Sequence, residues 1–173
     1  MQRRVALKNL AAAAGLVSMP AWASGWNKST VASASPYLSA GQDAVLAEIV
    51  ETIIPATDTP GAKELGIHFF VQKMVTDCYD EKVRERLAKG VDAVERMAKG
   101  TFSKPFATLD AAKRMDILLK MEKNTDPEKK EFFTLVKALT IRGYLNSEYV
   151  MTNLTHYELV PGRYHGCVPV AVK

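Results

Sequence analysis

The side chains in this sequence that could do chemistry are few and scattered. The histidines are His68, His156 and His165, and the cysteines are Cys78 and Cys167. His156, His165 and Cys167 lie near the C-terminus among prolines and glycines. They offer metal-ligand atoms without the fixed helical spacing of a His-Glu-x-x-His site. His68 stands beside an apolar helical stripe and reads as a packing histidine. Asp92 and Glu95 could share acid–base work, but they fall on the charged side of a helical pattern and read as solvated. Residues 61–66 have the glycine spacing of a phosphate loop. However, Ile67 and His68 follow where Lys and Ser or Thr are required. No Gly-x-Gly-x-x-Gly, Cys-x-x-Cys-His or Gly-x-Ser-x-Gly motif is present. No catalytic, cofactor-binding or metal-binding residue is therefore assigned, and the chain reads as a non-enzyme.

The first residues carry a different kind of signal. Arg3 and Arg4 precede Leu7 and Lys8, a short Ala-rich apolar run follows, and Ala21-Trp22-Ala23 ends the segment. This is the n-region, h-region and small-residue cleavage site of a secretory signal. Its paired arginines make it a twin-arginine address read by the twin-arginine translocase. Cleavage is expected after Ala23. That route moves proteins already folded, so its user carries a cofactor or travels with something that does.

In an oxidising compartment both thiols tend to be paired. A Cys78–Cys167 bond would close a long loop and staple the C-terminus, worth about 4–5 kcal/mol in the chain-entropy view. Alternatively, Cys167 bonds a partner protein while Cys78 stays a small buried hydrophobe. Both options stand at this point.

A chain of 173 residues with 47% apolar and 24% charged residues can hold one soluble domain. The net charge of +4 is largely a property of the signal. Three of the 23 basic residues and no acid lie in residues 1–23, leaving 20 basic against 19 acidic. A mature chain so balanced, without a basic stripe, is not expected to bind nucleic acid. Past the N-terminus no apolar stretch is long enough to span a membrane.

The elements that would position these residues are helical. Residues 24–38, rich in small and polar residues, read as a flexible lead-in to a single domain over 39–173. Ser39 can cap a helix to about Ile54, with Leu46, Ile49, Val50 and Ile53 on one face. Pro55 ends it, and Thr57 to Ala62 is a turn. A second helix is expected from about Lys63 to Cys78, burying Ile67, Phe70, Val71, Met74, Val75 and Cys78. A third runs from about Asp80 to Lys99 and ends at Gly100. Thr108 caps a fourth, with Met115, Leu118 and Leu119 inward. Asp126-Pro127 opens a fifth, which reaches about Gly143. Asn146 to Glu148 could begin one more. The fold class is all-α: a compact bundle of about five to six helices.

From Thr155 onward the chain is irregular, apolar and aromatic. Tyr157, Leu159, Val160, Tyr164 and Val168 are too many apolar groups for a solvated end. This tail should dock in a groove of its own helices or of another chain.

Three segments resemble the gluconate 2-dehydrogenase subunit 3 family. Ile53 to Ala62, reading Ile-Ile-Pro-Ala-Thr-Asp-Thr-Pro-Gly-Ala, resembles the segment after that family's first helix, with Glu51 and Gly66-Ile67 fitting its surroundings. Gly143 to Glu148 is similar to its Gly-x-x-x-Ser-Glu element. Tyr157 to Tyr164 is similar to its C-terminal Tyr-x-x-x-Pro-Gly element. The resemblance covers about residues 40–165. It implies a small, non-catalytic subunit of a dehydrogenase complex in the periplasm, held at the inner membrane through the complex. There a large subunit binds FAD and oxidises a sugar or sugar acid, and a multihaem cytochrome c subunit takes the electrons. The small subunit would be the export carrier and maturation partner of the flavoprotein. Two other readings are open: a free periplasmic chaperone or binding module, and a small metal-binding protein.

Overall fold

A computed structural model describes residues 37–155 together with Tyr157, Glu158, Val160 and Gly162. Five α-helices follow one another: α1 (Ala40–Ile53), α2 (Ile67–Cys78), α3 (Glu81–Phe102), α4 (Ala111–Glu122) and α5 (Pro127–Leu145). A 3-10 turn, Phe106–Thr108, leads into α4, and a π turn, Val150–Leu154, follows α5. The described residues are all-α, as the sequence pattern implied. None of their helices is long and apolar enough to cross a membrane.

The helix starts follow from local chemistry. Ser39 and Gln42 form a reciprocal capping box at α1, satisfying two backbone N–H groups that the first turn leaves bare. Asp80 accepts from the Val83 amide at α3. Asp126 accepts from the Glu128 amide, with Pro127 at the first position of α5. A hydrogen bond from Lys129, helped by that amide, holds the Asp126 carboxyl below its usual range. Packing begins one residue before the Ser39 cap. Leu38, placed by the sequence reading in the lead-in, is buried, and its amide donates to Gln72 Oε1 at 3.4 Å.

α5 touches all four other helices and is the centre of the bundle. Its Phe132, Val136 and Leu139 meet Leu46 and Ile49 of α1, Val71 and Val75 of α2, Leu87 and Val91 of α3, and Ile117 and Met121 of α4 in one core. Phe132 lies over Gly90, in the middle of α3, where any Cβ would overlap the ring. A glycine inside a helix costs about 1 kcal/mol in propensity. Here it makes room for one of the largest side chains of the core.

Three boundaries differ from the sequence expectation. α2 starts at Ile67, not Lys63, because residues 62–66 are tied into the preceding loop. α3 runs past Gly100 to Phe102 and stops at Ser103, which takes the left-handed conformation (φ 54°). Asp110, not Thr108, precedes α4, and Thr108 belongs to the 3-10 turn. The face of α4 is also shifted. Ile117, Leu118 and Met121 are buried, whereas Met115 and Leu119 point outward.

Candidate functional site

The loop between α1 and α2 is built from both ends. Pro55 cannot continue α1. Glu51, on the last turn, reaches over the chain that follows. Its Oε1 accepts from the Ala56 amide at 3.1 Å and its Oε2 from the Lys63 amide at 2.9 Å. Gly61 lies directly beneath this carboxylate, where a Cβ would collide with it and stand 2.8 Å from the Ala56 nitrogen. The Ala62 amide donates to the Ile54 carbonyl, and the Ile67 amide to the Ala62 carbonyl, both at 3.0 Å. Gly66, in the left-handed conformation, then turns the chain into α2.

The last turns of α5 close the loop from the far side. Tyr144 Oη donates to the Pro60 carbonyl at 3.1 Å and stands 3.1 Å from Thr59 Oγ1. With its single proton used on Pro60, the phenol accepts from Thr59. One residue earlier, Gly143 lets α5 press onto α2. A Cβ there would be 2.6 Å from Phe70 Cδ1 and 3.1 Å from Ile67 Cγ2. Glu51, the Pro55–Ala62 segment, Gly66-Ile67 and Gly143-Tyr144, quoted separately from the sequence, thus form one contiguous unit. The polar side chains of Glu51, Thr59 and Tyr144 are used in holding the unit together. Thr57 and Asp58 are exposed at its tip. Chemically the unit is a splint that fixes how α1, α2 and α5 meet.

A second polar cluster was not read from the sequence. Glu48, one turn before Glu51, pairs with Lys63 Nζ at 2.6 Å and with Arg114 of α4. Arg114 also donates to the carbonyls of Leu109 and Ala107, both at 2.8 Å. Glu48 and Arg114 are mostly shielded from solvent, so losing either partner would strand a charge. The partners lie 15 and 66 residues from Glu48 in sequence, and no local pattern announces such a pair.

The single residues singled out earlier fare differently. His68 is buried in α2, its ring tilted 40° to that of Phe69 with centroids 4.0 Å apart. Asp92 is exposed, as expected of a solvated residue, whereas Glu95 is half-buried, and both hold partners within the chain. Asp92 accepts from Gln42 Nε2 at 3.0 Å, and Glu95 accepts from the Phe106 amide at 2.9 Å while pairing with Lys99. Cys78 does not end a buried stripe. Ile67, Val71 and Val75 are buried, Phe70 and Met74 are half-buried, and Cys78 is an exposed free thiol at the end of α2. Cys78 is therefore not the small buried hydrophobe of the second option. Cys167 lies outside the described residues, as do Leu159, Tyr164, Val168, His156 and His165 of the tail. The export-signal residues Arg3, Arg4, Leu7, Lys8, Ala21 and Ala23 also lie outside them.

Tyr157 and Val160, the described members of the apolar tail, are exposed, Val160 at 82%. The Tyr157 amide donates to the Met151 carbonyl at 2.8 Å, which ties the start of the tail to the π turn. The helices of this chain leave both side chains uncovered.

No match is found among curated proteins or among solved structures. The profile of one family, described as gluconate 2-dehydrogenase subunit 3, matches residues 40–162. That span runs from the first residue of α1, through the Glu51–Tyr144 splint, to the end of the described tail. The chain belongs to the gluconate 2-dehydrogenase subunit 3 family.

Proposed function

We propose that this chain is a non-catalytic small subunit of a flavin-dependent sugar or sugar-acid dehydrogenase complex. In this reading it carries the twin-arginine export address for a large FAD-binding subunit and supports that subunit's maturation. A multihaem cytochrome c subunit completes the complex at the periplasmic face of the inner membrane. The observation that carries the reading is the family match over residues 40–162, whose description names a dehydrogenase subunit. Two features support it. Arg3, Arg4, Leu7 and Lys8 stand where the twin-arginine route requires them, and that route accepts folded cargo. Glu51 and Tyr144 of the splint, and Glu48 with its partners, spend their polar atoms on bonds within the chain, as suits a scaffold.

Affinity capture of the full chain from the periplasmic membrane fraction tests the subunit role. A large protein with a flavin absorbance spectrum should come down with it, and capture without any flavoprotein would overturn the reading. The carrier role is separable. Replacing Arg3 and Arg4 by Lys should hold both proteins in the cytoplasm. A flavoprotein that still reaches the periplasm would remove the carrier role and leave the subunit role intact.

A further inference from the structure

We infer that Glu48 selects which of two apolar faces α4 buries. Paired with Glu48, Arg114 seats the helix on Ile117 and Met121. Without the pair, the helix turns and seats on Met115 and Leu119. The device belongs to the bundle itself and stands apart from the subunit role proposed above.

The two faces follow from the helical repeat. Each residue of an α-helix advances about 100° around the axis. Arg114, Ile117, Leu118 and Met121 therefore share one arc of α4, about 100° wide. Ala111, Met115, Leu118 and Leu119 share a second arc of the same width, turned from the first by about 100°. Ile117, Leu118 and Met121 are buried in the core that α4 shares with α1, α3 and α5, whereas Met115 and Leu119 keep 43% and 42% of their surface in solvent. Leu118 is common to both arcs. Beyond it, each face offers one methionine and one branched aliphatic side chain: Met121 with Ile117, or Met115 with Leu119. The apolar surface on offer is nearly equal, so the hydrophobic gain that seats one face would also seat the other. Something other than apolar burial has to choose.

The difference between the faces is Arg114, which lies on the first arc and not on the second. Its guanidinium pairs with Glu48 of α1, and the two side chains keep only 18% and 13% of their surface in solvent. It also donates to the Leu109 and Ala107 carbonyls, tying the 3-10 turn to the first turn of α4. The other polar contacts of α4 hold it less firmly. Asp110 makes no side-chain bond to the backbone of the first turn and pairs with Lys113 instead. Glu122 pairs with Lys137, but both are more than 40% exposed, and such a pair contributes little. Glu122 falls on the second arc, yet it is the last residue of α4, where a side chain reaches water past the helix end.

Removing one partner of a shielded pair strands the other charge, whereas exchanging both for apolar residues is often neutral. Without Glu48, Arg114 regains water when α4 turns, and the same turn carries Met115 and Leu119 inward. A shielded ion pair that adds little to stability can still fix which packing is adopted.

Methionine oxidation by hydrogen peroxide, read by mass spectrometry on the full chain, tests this, because Met115 and Met121 report the two faces. In the wild-type chain Met115 should oxidise about ten-fold faster than Met121. Glu48→Leu should reverse the order, with Met121 fast and Met115 slowed about ten-fold. Loosening of the bundle would speed both, so the slowing of Met115 is the specific sign. Glu48→Leu combined with Arg114→Leu, which strands no charge, should return to the wild-type order. A folded Glu48→Leu chain in which Met115 is unchanged or faster overturns the inference, as does a reversed order in the double variant. Where Glu48→Leu does not fold, by helical circular dichroism, Glu48→Gln decides. Slowing of Met115 by about three-fold then supports the inference. Met115 unchanged or faster in Glu48→Gln overturns it.

Discussion

The two flanks of the last turns of α5 are made for different purposes. On one flank, Gly143 and Tyr144 serve the interior: the glycine admits Phe70, and the phenol bonds two positions of a loop some 85 residues away in sequence. On the other, Ile141 and Leu145 meet solvent. Beyond them, the hydrogen bonds described for the π turn reach only its near neighbours in sequence, from Ser147 to Tyr157. A helix that is finished on one side and bare on the other implies that folding and assembly draw on separate residues. Substitutions on the first flank should then be read in stability, and substitutions on the second in partner binding.

Removing what both flanks rest on gives the largest effect. Phe132→Ala would open a cavity beneath α3 and α5, and a loss of about 3–5 kcal/mol is expected in denaturant unfolding. A smaller loss would mean that the neighbours of Phe132 collapse into the space. Gly143→Ala comes next. The added methyl would overlap Phe70 and push α5 from α2, costing about 1–3 kcal/mol by overpacking. The same measurement checks it, and an unchanged midpoint would show that Phe70 gives way freely. Tyr144→Phe keeps the ring and removes only the bonds to Thr59 and Pro60. About 0.5–1.5 kcal/mol is expected, together with faster amide exchange at Ala62 and Ile67. Leu145→Gln should be the quietest, within about 0.5 kcal/mol of wild type. A destabilisation as large as that of Gly143→Ala would erase the distinction between the flanks.

Much of the fold was legible in the sequence because its signals are local. Ser39 with Gln42, and Asp126 with Pro127, cap helices through atoms three residues apart or fewer, and both starts lie where the pattern places them. Errors arose where a distant partner decided the outcome. α4 carries apolar residues on two flanks, so periodicity alone cannot choose between them. Arg114 takes a place on the inner side because Glu48 is there to meet it, and Met115 and Leu119 are turned outward as a result. Gly100 looked like a helix end, yet the helix continues to Phe102, whose half-buried ring packs against the core. Lys63 looked like a helix start, but the Glu51 carboxylate holds its amide in the loop. The splint itself was visible only as separate segments of resemblance. That those segments touch one another is a property of the folded chain.

The π turn Val150–Leu154 has one further consequence. Its Thr155 amide reaches back five residues, one more than an α-helix allows. Along an α-helix each residue advances the chain by about 100° around the axis. Deleting a single residue from this turn would let it close as an α-turn, and everything after it would swing around by about that angle. The bearing on which Tyr157 and Val160 leave the bundle is therefore governed by chain length, a count of one residue, and not by which side chains the turn contains.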